Sequence, residues 1–166
     1  MSAALAPAPT SQALAAWLAA YPYARFLGLE VSDHPGAVLV MRFAASLVGN
    51  PALPAIHGGA LAGALELTAH AVVAGLARAD SGERGDEATE SAATDADGLT
   101  GAGPRVGGPV RTVSATIDYL RSAGAQDTYL VGRIGKRGRR IVHVHAEAWQ
   151  TAPDQPVASA RVLIAG

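Results

Sequence analysis

The chain has no cysteine. Disulfides, thiolate nucleophiles and zinc–thiolate sites are therefore excluded. The absence fits a cytosolic protein, and a cytoplasmic location is the expectation. No excess of charge of one sign is present either, because the formal net charge is −1 at pH 7. A basic nucleic-acid-binding surface and an acidic disordered tail are thereby disfavoured. No apolar run approaches the roughly 20 residues that a membrane-spanning helix needs. Neither nucleic acid nor membrane is expected as a partner. The first twenty residues, MSAALAPAPTSQALAAWLAA, lack a basic region ahead of an apolar stretch. They read as a tail leading into a helix rather than as a signal peptide.

What is present is 166 residues, 49% of them hydrophobic, enough for one domain with a real core. Leu14, Trp17 and Leu18 recur at helical spacing in residues 11–20, and residues 37–44 read as a strand. Asn50-Pro51 and Pro54 make 48–56 a loop. Residues 58–78 read as one long helix, with Leu61, Leu65, Thr68, Val72 and Leu76 on a single stripe. The segment 79–109 is acidic and poor in large apolar side chains, so it predicts a mobile insertion. It holds seven of the fourteen acids and only Arg84 and Arg105 of the thirteen basic residues. The rest of the chain is consequently net positive.

Beyond Pro109 the pattern changes to strands at 110–120, 127–135, 141–150 and 156–165, with KRGRR at 136–140 as a hairpin turn. Short turns between them predict antiparallel neighbours. A long apolar helix needs cover, and so does one face of such a sheet. The expected class is α+β, a curved antiparallel sheet wrapped around one central helix. Residues 1–19 would form the tail and short helix, and 20–166 the domain.

Several segments resemble one family. HGGALAGALELTA at 57–69, the preceding GNPALPAIHGG, VRTVSATIDYLRSA at 110–123 and YARFLGLEV at 23–31 are similar to the hotdog-fold acyl-CoA thioesterases of the PaaI-like and 4-hydroxybenzoyl-CoA thioesterase group. The resemblance covers about residues 20–166 apart from the insertion. It implies a thioester hydrolase built from hotdog homodimers, often paired into tetramers. It needs no cofactor, and coenzyme A enters only as part of the substrate. Carried over, Glu66 is the nucleophile or general base and the Gly58 N–H polarises the thioester carbonyl. His57 positions the turn, Asn50 orients water or the acid, and Thr112 supplies a strand hydroxyl. Two features depart from the family: Asn50 lies seven residues before His57, one more than usual, and the acidic insertion is not a hallmark.

The same residues can be read for their chemistry alone. Glu66 has Ala62, Gly63, Ala69 and His70 as helical neighbours, so no intrahelical ion pair accounts for it. Small residues around it leave room for a ligand or another chain. Gly58 and Gly59 open the helix, where unpaired N–H groups favour negative charge. Eight residues separate Gly58 from Glu66, about 12 Å along the axis at roughly 1.5 Å per residue. Catalytic contacts lie near about 3 Å, so one chain cannot bring both groups to one bond. Two antiparallel copies could, twice over by symmetry. The expectation is a homodimer with two shared sites.

Lys136, Arg137, Arg139 and Arg140 at one turn, together with Arg121, are candidates for the coenzyme A phosphates. Gly59 and His70 complete the candidate substrate-binding set. His143 and His145 share a strand face, but two ligands without a nearby acid make a weak metal site, and no metal is expected. Two other functions stay open: a hydratase or dehydratase acting on acyl-CoA or carrier-bound acyl groups, and a non-catalytic acyl-binding or assembly module.

Overall fold

A computed structural model describes residues 11–50, 52–82 and 111–165. Two short helices come first, α1 (Ser11–Ala19) and α2 (Pro22–Phe26), then strands β1 (Leu29–Val31) and β2 (Leu39–Met41). A single 3-10 turn at Ala45–Leu47 leads into the small hairpin β3 (Val48–Asn50) and β4 (Leu53–Ile56). The long helix α3 (Gly58–Gly82) follows, then β5 (Arg111–Tyr119), β6 (Thr128–Arg137), β7 (Ile141–Trp149) and β8 (Pro156–Ala165). Six strands make one antiparallel sheet in the order β1-β2-β6-β7-β8-β5. The helix α3 packs against β6, β7 and β8 at its centre.

Alternation explains how the sheet is covered. On β7, Val142, Val144, Ala146 and Ala148 are buried while His143 and His145 are exposed. β8 repeats the pattern with Ala158, Ala160, Val162 and Ile164 inside. These side chains meet Leu61, Ala64, Leu65 and Thr68 of α3 in one core, to which α1 contributes Leu14 and Leu18. The Thr68 hydroxyl donates to the Ala64 carbonyl at 2.8 Å, so its one polar atom is satisfied inside the helix.

Residues 48–56, read as a loop, pair as the hairpin β3–β4, and four further sequence expectations are corrected. First, β5 is not a neighbour of β6. Residues 120–127 carry the chain past the ends of β7 and β8, and β5 pairs with β8 at the far edge. Side-chain and backbone bonds hold this crossover: Leu120 and Arg121 N–H groups donate to the Val157 carbonyl, and Gln150 bonds Gly124 and Gln126. Second, the strand read at 37–44 is only three residues long, because Phe43 N–H turns away to the Asp127 carboxylate. Third, α3 runs to Gly82, four residues into the stretch read as an insertion; 83–109, the rest of that expectation, lies outside the described residues. Fourth, Gly58–Gly75 is long and apolar enough by length and composition to cross a bilayer. No uninterrupted apolar run marks it, because small residues and Glu66 dilute the pattern. In this fold the same helix is the buried centre, covered by the sheet on one side and by α1 and α2 on the other.

Candidate active site

The start of α3 is built by His57. Its backbone N–H donates to the Leu47 carbonyl at 2.8 Å, and its carbonyl accepts from Ala60 N–H at 2.9 Å. Its ring Nδ1 accepts from Gly59 N–H at 3.0 Å. The imidazole lies directly on Gly49, where a Cβ would collide with the ring, so residue 49 must be glycine for His57 to sit there. Leu61 N–H also reaches the His57 carbonyl. Of the first-turn donors, Gly58 N–H is left without an acceptor among the described residues. A free N–H at a helix N-terminus is suited to a developing oxyanion.

Burial along α3 singles out Glu66. Between Ala60 and Gly75 most positions are buried, and the partly open ones are Ala62, Glu66, His70, Val72 and Ala74. Ala62, Glu66, His70 and Ala74 stand four apart, one narrow stripe up an otherwise enclosed helix. Gly63 and Ala69, which the small-residue pattern placed beside Glu66, are closed off. The Tyr23 ring lies against Gly63 where a side chain would be, and Ala69 is fully buried.

β5 runs antiparallel alongside that stripe and is tied to it at both ends. The Tyr119 hydroxyl donates to the Gly58 carbonyl at 2.9 Å. At the other end His70 Nε2 and Thr112 Oγ1 share a hydrogen bond of 2.8 Å. Glu66 falls between the two ties, opposite the stretch of β5 whose Ala115 and Ile117 point the same way as buried Val162 and Ala160. Burial holds the His70 imidazole below the usual histidine value, and the Glu66 carboxylate pulls it partway back. The ring is therefore neutral near pH 7.

Thr112 faces the helix because of a β-bulge. Plain alternation puts Thr112 on the face opposite Tyr119, yet the register shifts between Thr112 and Ser114. That extra residue turns Thr112 inward and leaves Val113 exposed.

The structure thus groups Glu66, His70 and Thr112 along one seam, and His57, Gly58 and Gly59 at the helix start. The Asn50 side chain bonds neither group: it is exposed, and its oxygen accepts from Ala52 N–H at 3.0 Å in a local turn. The basic candidates also divide. Lys136, Arg137, Arg139 and Arg140 surround the β6–β7 hairpin, beside the β5 end that carries Thr112. Arg121 follows the opposite end of β5 and donates to the Pro156 carbonyl at 2.7 Å. The nine residues of β5 span about 30 Å at roughly 3.3 Å each, so one chain cannot bring Arg121 and the hairpin cations to the same phosphate. Tyr119 and Tyr23 were not singled out from the sequence. Tyr119 lies in the strand read at 110–120, but a hydroxyl's reach to a helix carbonyl 61 residues away leaves no local pattern.

On the opposite face of the sheet His143, His145, Arg161, Ser114 and Thr116 line an open hollow of about 230 Å³. The sheet separates it from Glu66. Among the described residues no three metal-ligating side chains come together.

The sequence pattern of the thioesterase superfamily matches residues 53–157. The chain belongs to this superfamily, and its sheet wrapped on one central helix is the hotdog fold. Solved structures agree. A phenylacetic acid degradation-related protein of Ralstonia eutropha is 21% identical, with 92% of this chain and 98% of that one covered and a TM-score of 0.58. A thioesterase-superfamily-related protein of Shewanella oneidensis is 18% identical, with 93% and 94% covered and a TM-score of 0.62. A protein of Chromobacterium violaceum is 26% identical, with 93% and 89% covered and a TM-score of 0.55. No curated protein matches the chain.

Proposed function

We propose that the protein hydrolyses the thioester of a small or aromatic acyl-CoA to the free acid and coenzyme A. Glu66 activates water, or attacks the carbonyl itself, while the Gly58 N–H of a second copy holds the oxyanion. His57 keeps that N–H pointed outward by occupying the neighbouring donors. The reaction needs a carboxylate with access to substrate and a preorganised donor. The observation that carries the reading is Glu66 itself, a partly open carboxylate on the accessible stripe of a buried helix with no Lys or Arg paired to it among the described residues.

The second copy is required by length, since Gly58 and Glu66 are about 12 Å apart on one helix. The nine-residue edge strand β5 offers the place for it. Among the described residues it has a partner on one side only, and Val113, Tyr119 and Leu120 are exposed along it or just beyond. A long open edge of this kind is a template for pairing. The hairpin cations Lys136, Arg139 and Arg140 suit the phosphates of coenzyme A, and no metal or redox cofactor takes part in the scheme. A homodimer, or a pair of them, in the cytoplasm is the corresponding assembly.

The test is thiol release from a panel of acyl-CoAs by the intact protein and by Glu66→Ala. Turnover in the intact protein and a loss of about 100-fold or more in the variant are expected for removal of a reacting carboxylate. Equal rates in both would overturn the mechanism. Turnover of an enoyl-CoA without thiol release would identify a hydratase, and binding without turnover an acyl-binding module.

A further inference from the structure

His70 has one ring nitrogen occupied and the other not. Nε2 shares the 2.8 Å hydrogen bond with Thr112, while Nδ1 is buried and has no partner among the described residues. A buried polar atom without a partner is uncommon and calls for a reason. Its surroundings supply one. Glu66 is four residues upstream on the same open stripe, at about 5–6 Å between Cβ atoms. Helical side chains lean toward the N-terminus, so the His70 ring leans over the turn that carries Glu66. The two feel each other electrostatically. From β5, His70 meets the neutral hydroxyl of Thr112; Glu66 on its own helix is the one charged group whose field is resolved at the ring.

A neutral imidazole carries one proton, and its placement follows from the partner at the other nitrogen. If the Thr112 hydroxyl donates to Nε2, the ring proton must sit on Nδ1, the buried nitrogen without a partner among the described residues. We propose that Thr112 fixes His70 as the Nδ1–H tautomer, and that Nδ1–H holds the Glu66 carboxylate in its reactive orientation. Glu66 reaches it by rotation about its own side-chain bonds, with no movement of α3. His70 is a positioning residue, acting through Glu66. The inference deepens the proposed hydrolysis and rests on it for the role of Glu66, but the tautomer is a property of the protein alone.

Two measurements decide it. The first is the nitrogen-15 NMR spectrum of the imidazoles near pH 7.5, with His70 assigned by the His70→Asn variant. The Nδ1–H tautomer is expected for His70, shifting toward the commoner Nε2–H form in Thr112→Val. An Nε2–H ring in the intact protein would overturn the proposal, whether or not the protein hydrolyses any acyl-CoA. The second is kinetic. Asparagine places an amide N–H near the position of Nδ1, and glutamine near that of Nε2. His70→Asn should keep kcat within a few-fold of the intact protein, whereas His70→Gln should lower kcat by about 10- to 100-fold, what a hydrogen bond to a charged group is worth. KM should be little changed in both. If His70 is only a strut between α3 and β5, the order reverses: glutamine preserves activity and thermal stability and asparagine loses them. That result would overturn the proposal while Glu66→Ala still abolished thiol release. Absence of turnover in the intact protein would instead remove the function, with the spectrum still deciding the tautomer.

Discussion

Asp127 shows how a single side chain can hold two strands in place. Its carboxylate accepts from the Phe43 backbone N–H at 2.8 Å and from Arg42 at 2.8 Å, fastening the end of β2 to the start of β6. The Phe43 N–H first, then Arg42, hold its carboxyl below the usual carboxylate range. A depressed value means the bound form is the ionised one. The stabilisation is therefore complete above about pH 4 and is lost as pH falls through the folded-state value. Asp127→Asn should lower the melting temperature at pH 7, and the gap to the intact protein should close under acid. Thermal unfolding followed from pH 7 downward through the acid range checks this; a gap that does not narrow as pH falls below about 4 would contradict it. Glu66 was legible in the sequence because a carboxylate without a basic helical neighbour stands out among small apolar residues. The roles of Tyr23 and Tyr119 were not, since each depends on a contact between elements distant in the chain.

At the scale of elements, α3 and β5 hold the candidate site together. The Tyr119 hydroxyl ties β5 to the first turn of α3, and the Gly58 carbonyl is its acceptor. Tyr119→Phe removes that bond and leaves the ring over Gly58. A loss of about 0.5–1.5 kcal/mol is expected for one hydrogen bond, less if water replaces the hydroxyl at this exposed position. It should come with lower kcat if the first turn relaxes, as measured by denaturant unfolding and thiol release. The strands β7 and β8 were visible in the sequence almost to the residue, because each alternates over most of its length, β7 from Val142 to Ala148 and β8 from Ala158 to Ala165. The position of β5 was not visible, since a crossover to the far edge follows from how the sheet closes over the helix. Nor was its bulge: the alternation reads the same until the partner strand shows where the extra residue sits. Thr112 was placed near the site by family likeness, while a strict period-two reading would have turned it away.

At the scale of the whole molecule, a site divided between copies makes a prediction that one chain cannot imitate. Gly58→Pro deletes the N–H while keeping a residue that suits the first turn of a helix, although a side chain there comes within 3.2 Å of the Tyr119 ring. Gly58→Pro and Glu66→Ala should each be inactive alone. Mixed, unfolded and refolded together in equal amounts, they should recover about one quarter of the original activity. Half the dimers would be hybrids, each with one intact site of two. No recovery, with both variants folded, would show that the two copies do not share a site. The open edge of β5 also carries a consequence for handling the protein. If that edge is where copies meet, specific activity is not a constant of the chain but a function of its concentration, declining on dilution as pairs come apart and returning when the solution is concentrated again.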